Sequence, residues 1–210
     1  MVLEIPQGQK REVSLTAIIP EKAEAMAYAV QGYMAADRGT PDDRKSAPVS
    51  AFYFPPLQTP GANVALAAKG ATVSVDSCYE GYSAKPLNDG IMLPSPTAHW
   101  AETAWASLDD GKEHWIEIAL PKAETVSRLL VVWAYDSGTL YASQQCRVQT
   151  EVEGKWQDLA TFSPKASAAY TVAEFEPTTA AKFRLLQLAA KGPESRPGIM
   201  WVTEVGLYNE

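Results

Sequence analysis

Alternation of apolar and polar positions is the strongest signal along the chain. In KREVSLTAII, residues 10–19, Val13, Leu15, Ala17 and Ile19 alternate with mostly polar partners, the period of a half-buried strand. AMAYAVQGYMA (25–35) and PVSAFYF (48–54) predict two more strands around the polar turn DRGTPDDRKS (37–46), although EKAEAMAYA (21–29) also suits the start of a short helix. FPPLQTPGAN, residues 54–63, then interrupts any regular element with three prolines and a glycine and predicts a linker. The chain is thus expected to divide into a β-rich segment, 1–57, and a larger domain, 58–210. The first segment has too few strands to close a sandwich, which leaves an apolar sheet face in need of cover.

In the larger domain, HWIEIAL (114–120) alternates Ile116, Ile118 and Leu120 with Trp115, Glu117 and Ala119. TVSRLLVVWAY (125–135) is apolar on both faces, as a central strand is. QQCRVQTEV, KWQDLATF, AYTVAEF, AKFRLLQLAA and MWVTEVGLY continue the pattern, with Gly, Pro, Asp or Ser clusters between most of them. Short strands joined by turn-rich loops predict an all-β sandwich or jelly roll. There is no internal repeat and no low-complexity tract.

Composition narrows the function classes. The 210 residues are 46% hydrophobic and 20% charged, an ordinary globular balance, and no apolar run is long enough to span a membrane. A formal net charge of −7, with lysines and arginines scattered, disfavours nucleic acid and anionic membrane as partners. The opening MVLEIPQGQKREV lacks the pattern of a secretory signal, so export is expected only as a piece of a longer protein. Cys78 and Cys146 can form one bridge if a loop meets a strand, but a pair of buried thiols is the preferred reading. With His99 and His114 they show no paired metal-ligand spacing.

Catalytic signatures are missing: no nucleophile elbow, no H-E-x-x-H, no P-loop and no dinucleotide fingerprint occurs. His114, directly before Trp115, reads as a histidine at a sheet edge, and the 25 acidic residues single out no catalytic pair. The aromatics are more informative. Trp105, Trp115, Trp133, Trp156 and Trp201 lie in or beside strands and are expected in the core. Tyr79, Tyr82, Trp100, Tyr135 and Tyr141 lie in or beside loops, where a ring can cap the core or stack on a ligand. Rings that stack on the C–H face of a sugar, beside groups that bond hydroxyls, hold carbohydrate economically in water. The loops CYEGYSAKP, SPTAHW, YDSGTLY and GPESRP offer that mixture, with His99 and Arg196 as polar partners.

The ordered set NVALAAKGATVSVDS, YEGYSAKPLNDG, WAS (105–107), HWIEIALPKAETVSRLLVVW and WVTEVGLY resembles the discoidin-like, coagulation factor V/VIII C-type domain, and specifically the family 32 carbohydrate-binding modules. The resemblance covers about residues 61–210. It implies an eight-stranded antiparallel jelly-roll β-sandwich, galactose-binding-domain-like, with ligand loops at one end. The carbohydrate-binding residues it implies are Tyr79, Tyr82, His99, Trp100, Tyr135, Tyr141 and Arg196. Many relatives hold a structural calcium, and Asp89 of the N-D-G turn and Glu204 at the start of the last strand match the positions of its ligands, a chemistry that suits a hard cation. This chain departs from the pattern in an expanded loop, NDGIMLPSPTAHWAETAWAS, which can displace the carbonyls that complete such a shell. Residues 1–57 resemble, more loosely, the last strands of an immunoglobulin-like module.

The function these readings imply is a noncatalytic carbohydrate-binding module of a larger secreted or cell-surface enzyme that degrades polysaccharides or glycans. Its expected partners are a polysaccharide or glycan and the parent's catalytic domain, with no nucleic acid and no membrane, and it is expected to be a monomer. The alternative from another class is a structural spacer that positions a catalytic neighbour, its loop aromatics packed inward. A third reading, a glycosidase or lyase, requires paired carboxylates or a Tyr, His and Arg cluster in a cleft.

Overall fold

A computed structural model of the chain describes residues 26–35, 44–53, 61–92, 99–136 and 139–209, with side chains from Gly61 onward, Trp100 excepted. The strand expected at 10–19 and the boundary expected between 57 and 58 lie outside the described residues. The two strands expected next are present. β1 (Met26–Ala35) and β2 (Arg44–Tyr53) pair antiparallel as a separate two-stranded sheet, with Met26 opposite Tyr53. The helical alternative for 21–29 fails where it is described, since Met26 to Ala29 are strand.

The larger domain is an antiparallel β-sandwich of the galactose-binding-like type. Its strands are β3 (Thr72–Val75), β4 (Trp105–Ala106), β5 (His114–Trp133), β6 (Tyr135–Asp136), β7 (Thr139–Leu140), β8 (Cys146–Val152), β9 (Lys155–Phe162), β10 (Tyr170–Gln187) and β11 (Trp201–Tyr208). One layer holds β3, the first half of β5, the second half of β10, β8 and β9. The other holds β4, β11, the second half of β5 and the first half of β10. β5 and β10 run through both layers, so the described ladder is continuous from β4 to β9. Sequence punctuation at Pro121 and Pro177 splits each of these strands in two. The structure joins them through register shifts at Glu174/Thr178 and Ala180/Lys182, the bulges by which a strand bends from one sheet into the next.

The core lies between the layers. Ile116, Ile118 and Leu120 point into it, then Val126, Leu129, Val131 and Trp133 after the bend shifts the phase, against Phe183, Leu185, Val148, Val202, Val205 and Leu207. Fully burying each such side chain contributes about 1.5–3 kcal/mol. Of the five tryptophans expected inside, Trp105, Trp133 and Trp201 are buried, while Trp115 and Trp156 are half-buried. Leu130 and Val132 face the other way and are also buried, in a second cluster with Tyr208 and Met92. That explains why TVSRLLVVWAY is apolar on both faces, and it shows that the expanded loop begins by covering the sheet's outer surface.

Candidate ligand site

Four loop segments converge around Trp201, the first residue of β11. Trp201 is 8% exposed and packs with Ala104, Ala106, Ala134 and Ile199. Its carbonyl accepts the Ala134 N–H at 3.1 Å, tying the start of β11 to the 134–141 segment. The Tyr82 ring meets the indole edge-on, with centroids 5.9 Å apart, and Tyr141 lies tilted against it at 4.5 Å. Tyr79 stands edge-to-face on Tyr82 at 6.3 Å and is 41% exposed. Arg196 reaches over the Tyr79 ring at 5.8 Å while its Nε and Nη2 donate to Asp109 Oδ2 at 3.1 and 2.8 Å. The result is an aromatic wall with a guanidinium and a carboxylate at its rim.

The polar groups of this wall are tuned. Burial, then the charge of Asp136, pushes the Tyr82 phenol up to about 12, so it keeps its proton at neutral pH. The Asp109 hydrogen bond raises the Arg196 guanidinium above its ordinary value and fixes its direction. Trp201 Nε1 is buried and has no hydrogen-bond partner among the described residues. The other two buried indoles are satisfied, Trp105 Nε1 by the Ser77 carbonyl at 2.9 Å and Trp133 Nε1 by Thr171 Oγ1 at 3.0 Å. An unanswered buried donor costs about 1–3 kcal/mol, which sets this indole apart from the other two.

The expected site residues therefore separate. Tyr79, Tyr82, Tyr141 and Arg196 come together, and Trp201, expected only as core, forms the floor beneath them. Tyr135 is exposed on β6, opposite Leu140 of β7. His99 caps α1 (Trp100–Thr103), its Nδ1 accepting the Ala101 N–H at 3.3 Å. It lines a separate shallow hollow of about 440 Å³ with Gly81, Ser83, Lys85 and Glu102. That hollow adjoins the aromatic wall through the residues on either side of Tyr82. The side chain of Trp100 lies outside the described residues. His114 is no sheet-edge residue, for it opens the central strand β5 and is 1% exposed. Cys78 and Cys146 are both free, and the expected pair of buried thiols holds for Cys146 alone. Burial pushes the Cys146 thiol up to about 12, whereas Cys78 is exposed in the loop before Tyr79.

Asp89 and Glu204 meet across the N-D-G turn. Asn88 is buried and donates through Nδ2 to the carbonyls of Ala65 and Ala71 at 2.8 and 3.3 Å, which pins the turn. Gly90 follows at φ 88°, a left-handed conformation that favours glycine, and its N–H donates to Glu204 Oε2 at 3.2 Å. Asp89 Oδ1 accepts the Ile91 N–H at 2.7 Å. Glu204 is fully buried, and its Oε1 has no hydrogen-bond partner among the described residues. Burial first, then the charge of Asp89, pushes its carboxyl up to about 8. Among the described residues no group of three or more His, Cys, Asp or Glu is placed around one ion, so a cation here needs backbone carbonyls as well. The two adjacent carboxyls of Asp89 and Glu204 are hard oxygen donors that would supply part of such a shell.

The fold is that of a galactose-binding-like β-sandwich. Residues 87–185 match the F5/F8 type C family model described as NedA-like, galactose-binding domain. Three solved structures share the fold. The family 32 module of NanJ from Clostridium perfringens, in complex with galactose, is 17% identical, with 71% of this chain and 98% of that one covered at a TM-score of 0.56. Chitosan-binding module 1 of a chitosanase/glucanase from Paenibacillus sp. IK-5 is 19% identical over 71% and 99%, at 0.55. The Ruminococcus gnavus GH29 fucosidase, a D221A mutant in complex with fucose, is 21% identical over 71% of this chain at 0.53, and this chain spans 27% of its length. No curated protein sequence matches the chain.

Proposed function

We propose that this domain is a noncatalytic carbohydrate-binding module that holds a sugar against the Tyr79, Tyr82, Tyr141 and Trp201 surface, with Arg196 and Asp109 bonding its hydroxyls. The observation that carries this reading is the convergence of Tyr79, Tyr82, Tyr141 and Arg196 around Trp201 on one loop-borne wall, with the Tyr79 ring 41% exposed at its rim. A spacer with inward-packed aromatics would bury the Tyr79 ring. The named neighbours support the same class, as NanJ's module holds galactose and the Paenibacillus module is named for chitosan. His99, Lys85 and Glu102 in the adjoining hollow extend the site toward a second sugar unit. The parent is an exported enzyme acting on polysaccharides or glycans, and the module works in it as a monomer.

Asp89 and Glu204 hold a structural calcium ion in this reading. Bound there, the cation neutralises two carboxylates that otherwise repel and gives Glu204 Oε1 a partner. The test of function is a glycan array with calcium present, run on the wild type and on Tyr82→Ala and Arg196→Ala. Selective binding by the wild type that both variants lose supports the module. Silence across the array by folded protein supports the spacer.

A further inference from the structure

His114 makes two short contacts with hydrogen-bond acceptors. Nδ1 lies 2.8 Å from Asp76 Oδ2 and Nε2 lies 2.9 Å from the Gly198 carbonyl oxygen. The Asp76 carboxylate already accepts the Trp115 N–H at 2.9 Å and the Ser77 hydroxyl at 2.7 Å. A neutral imidazole has one N–H and can satisfy one of its two partners, whereas the imidazolium satisfies both. Asp110 Oδ1 stands 3.4 Å from Nε2 as a second carboxylate, itself shared with Lys112 at 2.6 Å. The charged groups around the ring are therefore Asp76 from the end of β3 and Asp110, with Lys112, from the 107–113 loop. On the 192–200 side the partner is a backbone carbonyl.

These partners begin or end the loops that build the ligand wall. Asp76 precedes the segment bearing Tyr79 and Tyr82. Asp110 follows Asp109, which anchors Arg196, and Gly198 lies two residues beyond Arg196. The last two loops are pressed together at Gly198, where an added Cβ would collide with Oδ1 of Asp109. The Gly198 carbonyl also accepts the Gly111 N–H at 3.4 Å. Ser77 extends the junction, its Oγ accepting the Leu108 N–H at 3.1 Å.

We propose that His114 is a positioning residue: as an imidazolium it clamps the three loops that present Tyr79, Tyr82 and Arg196, and ligand affinity falls when the ring loses its proton. The affinity half of the proposal rests on the carbohydrate reading above. Burial opposes the charge on His114, but the hydrogen bond and charge of Asp76, the Gly198 carbonyl and Asp110 outweigh it and hold its pKa above the ordinary value. Burial likewise opposes the charge on Asp76, and the bonds from His114, Trp115 and Ser77 outweigh it and hold that carboxyl low. A raised histidine gives stability that is whole below the unfolded pKa, about 6.5, and is lost as pH rises through the folded one.

The experiment is an NMR titration of the wild-type protein from mildly acidic to alkaline pH, following both His114 ring nitrogens and the amides of Tyr79, Arg196 and Gly198. Calorimetry with galactose, N-acetylgalactosaminyl-β-1,3-galactose and Lewis b as probes accompanies it across the same range. The proposal expects both nitrogens protonated at about pH 6 and a midpoint above the ordinary histidine range of about 6.5. The three amides move with that midpoint, and probe affinity falls about fivefold or more across it, since proton and ligand binding are reciprocally linked. In Asp76→Asn the midpoint drops and the affinity transition drops with it, which a merely structural role would not produce. An unprotonated ring nitrogen at about pH 6, still loop amides, or a flat affinity profile overturns the proposal. If no probe binds at any pH the carbohydrate reading falls, and the loop amides still decide whether His114 clamps.

Discussion

Trp201 is a packing residue that the proposed function also gives a part in recognition. Its ring closes the cluster of small residues around Ala104, Ala106 and Ala134, and in that reading its N–H meets a sugar oxygen. Trp201→Phe keeps an aromatic floor and removes the donor. Glycan affinity in that variant is expected to fall about tenfold, the worth of one hydrogen bond of about 1.4 kcal/mol, with little loss of melting temperature. Calorimetry beside thermal melts separates the two effects. Glu204 gives a second prediction. Its carboxyl moves from 4.5 to about 8 on folding without a cation, so the stability it contributes is present below the lower value and lost as pH rises through the higher. Melts of chelated protein should therefore show falling stability across that window, recovered by calcium. Glu204→Gln should flatten this part of the profile and abolish the calcium response. That Tyr79, Tyr82, Tyr141 and Arg196 come together was legible because an aromatic in a polar loop has few uses apart from meeting other loop residues. The place of Trp201 among them was not, since all eight positions of β11 are buried and no alternation marks a functional face.

At the scale of elements, the long strands β5 and β10 decide where the loops go. Each is shared by both layers, so a change at their mutual contact loosens the whole sandwich. Phe183, opposite Ile118, and Leu185, opposite Ile116, are fully buried there. Leu185→Ala is expected to destabilise by about 2–5 kcal/mol, read as a lower denaturant midpoint with an unchanged slope. The strands themselves were legible from alternation in HWIEIAL and from the apolar run LLVVW. Their continuity was not, because Pro121 and Pro177 look like stops, and only pairing across a bulge shows that the chain bends and continues. The polar row across the first layer was equally hidden. Arg184 sits 4.3 Å from the Trp156 ring, bonds Gln149 at 2.8 Å and faces Glu117, using residues from four different strands. No local period can reveal such a contact, since it depends on register between distant segments. Trp156 is half-buried under this guanidinium, and Trp156→Ala should cost about 1 kcal/mol in thermal or denaturant melts.

For the whole molecule, the acidic balance and the rigid sandwich fit a module that displays one wall of rings on its loops. The β-sandwich was legible because motifs resembling those of such domains recur in order along the chain. The division of roles between loops was not: His99 lies on a neighbouring hollow, while the 76–82, 107–113 and 192–200 segments meet at His114. That junction includes a hydrogen bond between residues 84 positions apart, beyond the reach of any motif. The central claim is that a sugar docks on Trp201 and the tyrosines beside it. Its most direct measurement follows the Trp201 indole N–H signal by NMR while galactose, chitosan oligosaccharides and Lewis b are titrated into calcium-loaded protein. The account predicts a saturable downfield shift of that proton with one of these sugars, together with shifts at Tyr79, Tyr82 and Arg196. Sugar binding that moves other residues and leaves the Trp201 N–H unchanged would contradict it.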